Sequence, residues 1–441
     1  MLIEAGWTGD KLARTVNALG AEAGIRLRYQ RASVGQWLTG VHPRAPVPDL
    51  VAEAFSRSLG RPVTVEETGL APGDWPEGAE PAGWRLDNTM NSLVELGSGA
   101  MSRAALAHYV YRAADLSVPG WRELTAEGQD QPDDSPSATV ERGEIGSVNV
   151  MTRLFSDADA AFGGGQVRRA AASYLTFSVV PLLRASASPA TRRNLLTSAA
   201  RLSYLCGFLC FDDELHGVAQ RYYLASLRLA AEAGDNVGYG IALRALSVQA
   251  RLLGHNQRAL ALAEAAVRAT SRAAPAQTRA FLLGQLAVAD AATGDQRAAA
   301  THLIAAEQHL ERAGNPTDPV GAYHSSSLAH QHAAVSACSG DRRAAVVALQ
   351  ESIRHRPVGE RRSRAITLAR LAELQIRDGR LDQACDTWDS FLNDYPHLRS
   401  RRADTAFATL RANIRTHQKS PTVRALSQRV AVMATTTHDH G

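Results

Sequence analysis

The stretch Leu286-Ala287-Val288-Ala289-Asp290-Ala291-Ala292-Thr293-Gly294-Asp295-Gln296-Arg297-Ala298-Ala299-Ala300-Thr301-His302-Leu303 reads as the end of one helix, a glycine stop and the start of a second helix. Ala287 lies seven residues before Gly294, Ala299 five after it and Leu303 nine after it. Two helices joined by so short a turn pack antiparallel, and small residues at their crossing let the backbones approach. The register recurs. Gly165/Ala170, Gly254/Ala259, Gly340/Ala345 and Gly379/Ala384 repeat the glycine-to-alanine spacing, and Glu214 stands at the turn of a sixth unit with Ala219 after it. Ala158, Gly207, Ser247, Ala333 and Ala372 fill the small position seven before each turn. Tyr174, Tyr223, Ala263, Leu349 and Trp388 fill the mostly apolar position nine after it.

This pattern is that of tetratricopeptide (TPR) hairpins, with turns 39 to 49 residues apart, longer than the basic unit of about 34. Pro357 and Pro396 fall where second helices stop, Leu398 to His417 supplies a capping helix, and the Thr/His-rich tail at 419–441 is expected to be disordered. Ala and Leu are abundant while β-branched and aromatic residues are sparse, which favours helix throughout. The fold class expected is all-α: a small N-terminal helix-turn-helix domain plus a C-terminal TPR-like α-solenoid. The domains expected are a DNA-binding head at 1–72, an acidic, Pro-rich linker at 73–147 with one helix near 101–116, and the repeat array at 148–418.

In the head, Thr8 can cap a helix carrying Leu12, Ala13, Val16 and Leu19 on one side. Arg31 to Gly40 then places Val34, Trp37 and Leu38 on one face and Arg31, Ser33, Gln36 and Thr39 on the other. A third helix after Pro46 and Pro48 turns Leu50, Val51, Ala54, Phe55 and Leu59 inward. A Trp-anchored helix with a polar, Arg-bearing outer face suits a major-groove reader. Arg31, Ser33 and Gln36 are assigned to base edges, and Arg26, Arg28, His42 and Arg44 to the DNA backbone. The charge distribution agrees: Gly24 to Arg61 holds six Arg against two acids, whereas Trp121 to Glu144 holds seven acids against two Arg.

The runs Gly-Trp-Thr-Gly (6–9), Leu-Ala-Arg-Thr-Val-Asn (12–17), Leu-Arg-Tyr (27–29), Ser-Val-Gly-Gln-Trp-Leu (33–38) and Leu-Gly-Arg-Pro-Val-Thr (59–64) resemble the start of the actinobacterial, Streptomyces-type helix-turn-helix/TPR regulators. Members of that group are associated with sporulation and antibiotic production. The resemblance implies a transcriptional regulator that binds double-stranded DNA, assembles as a homodimer through its repeats, and senses a ligand. Gln30, Ala32 and Gln36 stand where the group commonly has Asp, Thr and His, which implies a different base preference here. The order of head and array is also similar to that of peptide-responsive quorum-sensing regulators.

The TPR resemblance places helix positions two, five, nine and twelve on the concave side. That puts Arg201, Tyr204, Phe208, Phe211, Arg244, Val248, Arg251, Phe281, His330 and Glu373 in a groove for a peptide, an anionic small molecule or a protein partner. Ala369 occupies position five of the last unit, so the basic character is expected to fade there. The alternative reading is an interaction scaffold whose head docks a protein rather than DNA.

Catalysis, cofactors and metal are not expected. Gly163-Gly164-Gly165 lacks the Lys-Ser/Thr of a phosphate loop, and Gly165 already serves as a repeat turn. Cys206 and Cys210 lie one helical turn apart with no second pair at zinc spacing, and His324, His330 and His332 lack the metalloprotease order. Asp212-Asp213 sits at a repeat turn. No leader opens the chain and no apolar run reaches membrane-spanning length, so the expected location is cytoplasmic, nucleoid-associated when DNA is bound.

Overall fold

A computed structural model describes residues 1–71, 86–99, 106, 108–118, 120–121, 140, 142–270, 274–313 and 323–438. The regular elements among them are helices. Most of the expected linker lies outside the described residues, as do 101–105 of its expected helix. Tyr109 to Arg112 are not helical and only a single 3-10 turn follows at Ala113–Leu116. Leu106, the one described residue of 101–107, is helical and buried, and a helix that the sequence reading does not place, Leu86–Gly99, buries Met90, Leu93 and Leu96.

The head comprises α1 (Gly9–Glu22), α2 (Arg31–Leu38), α3 (Val47–Leu59) and a short α4 (Val65–Thr68). The Thr8 hydroxyl accepts from the Lys11 amide and caps α1, as expected. Leu12, Val16, Val34, Trp37, Leu50, Val51 and Phe55 form one core. Leu38 departs from the inward face assigned to it and is 71% exposed, because α2 ends there and its side chain overhangs the last turn.

After α5 (Leu86–Gly99) come α6 (Arg142–Phe162), α7 (Gly164–Tyr174), a π turn at Leu175–Val179 and α8 (Val180–Arg184). The array continues through α9 (Pro189–Asp212), α10 (His216–Glu232), α11 (Asn236–Leu252), α12 (Asn256–Ala269), α13 (Ala276–Thr293), α14 (Gln296–Glu311), α15 (Ser325–Cys338), α16 (Arg342–Arg354), α17 (Arg361–Arg377) and α18 (Leu381–Asp394). Helices α9 to α18 pack in consecutive pairs as an α-solenoid.

Five of the six expected turns stand where the register puts them. Gly254, Gly294, Gly340 and Gly379 have φ between 75° and 96°, and Glu214 is the one positive-φ residue other than glycine among those described, at 55°. Ala219, Ala259, Ala299, Ala345 and Ala384 are fully buried at the crossings. At Gly207 even one added methyl carbon would stand 2.6 Å from the Tyr223 ring. The first unit is shifted: its left-handed residue is Gly163, Gly165 lies inside α7, and Ala170 is exposed while Ala171 and Ala172 are buried.

That shift has a physical cause, because the solenoid closes on itself. The chain entering α19 (Arg401–Thr416) runs along the start of α7, where the Arg399 amide donates to Phe162 O at 2.6 Å and the Gly165 amide donates to Arg399 O at 2.8 Å. A Cβ at Gly163 or Gly165 would meet Arg399 O at 2.7 or 2.8 Å, and one at Gly164 would meet Leu209 O at 2.6 Å. The triple glycine is therefore a seam between the two ends of the array. Arg362 of α17 seals it, 3.0 Å from Asp159 of α6 and 3.8 Å from Asp212 of α9, all three side chains being buried. Beyond α19 the expected tail instead forms α20 (Pro421–His438), which buries Val423, Leu426 and Val430 against the end of the array.

Candidate nucleic-acid interface and repeat lumen

On the head, α2 is anchored by Val34 and Trp37, with Trp37 edge-on to Tyr29 at 5.0 Å. Asn17 fixes the chain before α2, donating to Tyr29 O at 2.8 Å and accepting from its amide at 2.9 Å. This arrangement leaves Arg31 and Gln36 exposed on α2, with Ser33 half-buried and its hydroxyl accepting from the Gln30 amide at 3.4 Å. Arg26, Arg28, His42 and Arg44 are exposed on the flanking segments.

The head's arginines fall into two groups. Arg14 pairs with Asp10, Arg57 with Glu22 and Glu53, and Arg61 with Glu4 and Glu67. Among the described residues, Arg26, Arg28, Arg31 and Arg44 have no carboxylate partner. The expected base and backbone contacts thus share a part of the head whose positive charge is not spent internally. The connections 23–30 and 39–46 are longer than the three or four residues of a tight helix-turn-helix turn.

Another part of the head is occupied. Helix α3 and the end of α1 rest on the turn edge of the solenoid, where Glu53 is 2% exposed and accepts from His255 Nε2 (2.7 Å), Arg57 Nε (2.9 Å) and the Ala113 amide (3.1 Å). Between head and array runs the segment 108–116. Gln220 Nε2 donates to Arg112 O at 2.8 Å and Gln220 Oε1 accepts the Arg112 amide at 3.0 Å, while Arg112 also pairs with Asp49 at 3.3 Å. Gly217 is required for this contact, since a Cβ there would lie 2.0 Å from Tyr109 O. The sequence reading places the end of a linker helix here and misses the docking, for which isolated Glu53 and Gln220 give no periodic signal.

Inside the closed array, the first helices of successive pairs present their side chains to one another. Arg244 lies 3.6 Å above the Phe281 ring, Arg362 4.7 Å from that of Phe208, and Arg402 5.2 Å from that of Phe211. Several expected groove residues are used for packing. Tyr204, Phe211 and Phe281 are buried against Tyr223, His216 and Tyr323 respectively, at 5.8, 5.7 and 5.4 Å. Val248, Arg251, His330 and Glu373 are half-buried, and Arg201 is exposed. The basic character does not fade at the last unit as expected, because Arg370 and Arg402, absent from the groove reading, supply it. Arg402 precedes no repeat turn, so the register could not find it.

Cys206 and Cys210 are buried as free thiols. Burial pushes Cys206 well up and Cys210 up to about 12. The Asp212-Asp213 pair is structural, with Asp212 accepting from the Gly164 amide at 3.0 Å and Asp213 from Arg168 at 3.2 Å.

Residues 1–71 match the family model described as the SP15 N-terminal domain. That match covers the head and ends where α4 and Leu70 close its core. Nothing among the curated proteins compared matches the chain.

Proposed function

We propose that this chain is a transcriptional regulator of the actinobacterial head-plus-TPR kind, which binds double-stranded DNA through its head and is modulated through its array. The observation that carries this reading is the set of exposed arginines, Arg26, Arg28, Arg31 and Arg44, without carboxylate partners beside a Trp-anchored α2. Guanidinium groups left free of internal partners can neutralise phosphates and read base edges. Arg31, Ser33 and Gln36 take base edges in this reading, and Arg26, Arg28, His42 and Arg44 take phosphates.

Docking of α3 on the array supports modulation, since a head held by Glu53, Arg112 and Gln220 shares any movement of the repeats. Val150 and Leu154, exposed one turn apart on α6, offer an apolar stripe to a second copy, so that two heads read paired half-sites. Gel retardation of genomic fragments across a range of salt tests the proposal. Retention of selected fragments, weakening steeply with salt, is expected. Retention of none at any salt would favour the reading in which the head docks a protein.

A further inference from the structure

The interior of the closed array carries several arginines, only some of which have a carboxylate in contact. Arg356 is answered by Glu360 at 2.7 Å and Arg362 by Asp159 at 3.0 Å. Arg251, Arg370 and Arg402 differ. Among the described residues the Arg251 side chain makes no hydrogen bond or ion pair, and its buried Nε has no acceptor. Arg402 has only the Phe211 ring beneath it, and Arg370 donates to the neutral nitrogen of His330 at 3.0 Å. These three side chains come from α11, α17 and α19, which are distant in sequence, and closure of the array brings each within electrostatic reach of His330.

We propose that Arg251, Arg370 and Arg402, gathered about His330 inside the ring, form a binding site for a compact anion with two or more negative charges. Three like charges with no carboxylate in contact cost free energy that an anion removes, and guanidinium forks match phosphate or carboxylate oxygens. The protonation states agree with this geometry. Burial and the charges of Arg370, Arg356, Arg402 and Arg251 drive His330 well below its ordinary range, so it stays neutral and accepts from Arg370. Burial also lowers Arg251, Arg370 and, down to about 10, Arg402, where nearby Arg370 and Arg362 add to the effect. Opposing charge comes from Asp212 and Glu214 toward Arg402 and from Glu373 toward Arg370, and the first two are engaged by Arg362 and Thr405. As the array's signal, this anion rests on the regulator reading; as a binding site it does not.

The test uses the full chain, with pyrophosphate, inorganic phosphate and citrate as probes against sodium chloride of matched ionic strength, read by calorimetric titration and by thermal melting. At least one probe is expected to bind saturably and to raise Tm by several degrees. Pyrophosphate and citrate separate phosphate from carboxylate recognition. Arg251→Gln with Arg402→Gln is expected to abolish the response while leaving the unliganded Tm unchanged or higher, because repulsion is relieved. If that double variant does not melt cooperatively, Arg251→Gln alone, which breaks no hydrogen bond, carries the test. No saturable response to any probe, or an equal response in wild type and variant, overturns the site. DNA retention in the same preparations separates the two readings: anion binding without DNA binding sinks only the regulator, and DNA binding without anion binding sinks only this site.

Discussion

Glu53 Oε1 lies 2.7 Å from His255 Nε2, and this buried contact joins the third helix of the head to the turn of the α11/α12 hairpin, 202 residues further along the chain. Arg57 and the Ala113 amide complete the set of donors around the same carboxylate, and Tyr111 stacks on His255 at 5.7 Å. The head is therefore bound through a desolvated, fully answered carboxylate. Such groups contribute little when intact relative to an apolar substitute, yet removal of one partner leaves the others buried and unanswered.

Glu53→Ala is accordingly expected to destabilise the head's attachment by about 3 kcal/mol. The measurement is limited proteolysis alongside thermal melting. Cleavage within residues 72–120 should accelerate before the array melts. Equal cleavage rates in wild type and variant would show that the apolar part of the contact suffices.

Arg362 tests the seam of the ring. Arg362→Met leaves Asp159 and Asp212 buried without their cation and is expected to cost about 3–5 kcal/mol. Gly165→Ala, placing a Cβ 2.8 Å from Arg399 O, should open the same seam while leaving the hairpins intact. Small-angle scattering of either variant is expected to give a larger radius of gyration than wild type.

Acid should loosen the head through His216, which lines the cavity between head and array with Leu19, Leu50 and Val218. Burial first, then the charges of Arg57 and Arg402, push its pKa down to about 4. A base whose folded pKa is lowered is stabilising while neutral in both states, above about 6.5, and that stability is lost as pH falls toward 4, because the unfolded chain takes up the proton first. The loss is about 3 kcal/mol over that window. Burial pushes Asp159 up to about 6, and this carboxyl contributes with the opposite sign, so the informative quantity is the difference between wild type and His216→Phe. The variant's stability is expected to fall less between pH 6.5 and 4.

How far these features were legible in the sequence depends on whether a local rule governs them. Gly254, Gly294, Gly340 and Gly379 follow from the left-handed conformation that a helix stop needs, and Ala259 or Ala299 from the closeness of paired helices. Glu214 was legible only through its neighbours' spacing, since nothing in a glutamate announces a φ of 55°. Gly163 to Gly165 obeyed a different demand, the approach of Arg399 from the far end of the chain, and so misled the register of the first unit. The inward arginines of the last units and the docking of Glu53 are likewise products of closure and of tertiary contact. In the head, Val34 and Trp37 were legible from helical period, whereas Leu38 failed because period alone does not say where a helix ends.

The central claim is that the exposed arginines of the head contact DNA, and the salt dependence of binding by wild type and Arg28→Ala tests it most directly. The account predicts that retention of a selected fragment falls log-linearly with salt, and that Arg28→Ala weakens binding across sequences while reducing the slope by about one per head. Arg31→Ala should instead relax base preference at one position, at a cost of about 1–3 kcal/mol. Unchanged affinity and slope in both variants would contradict it.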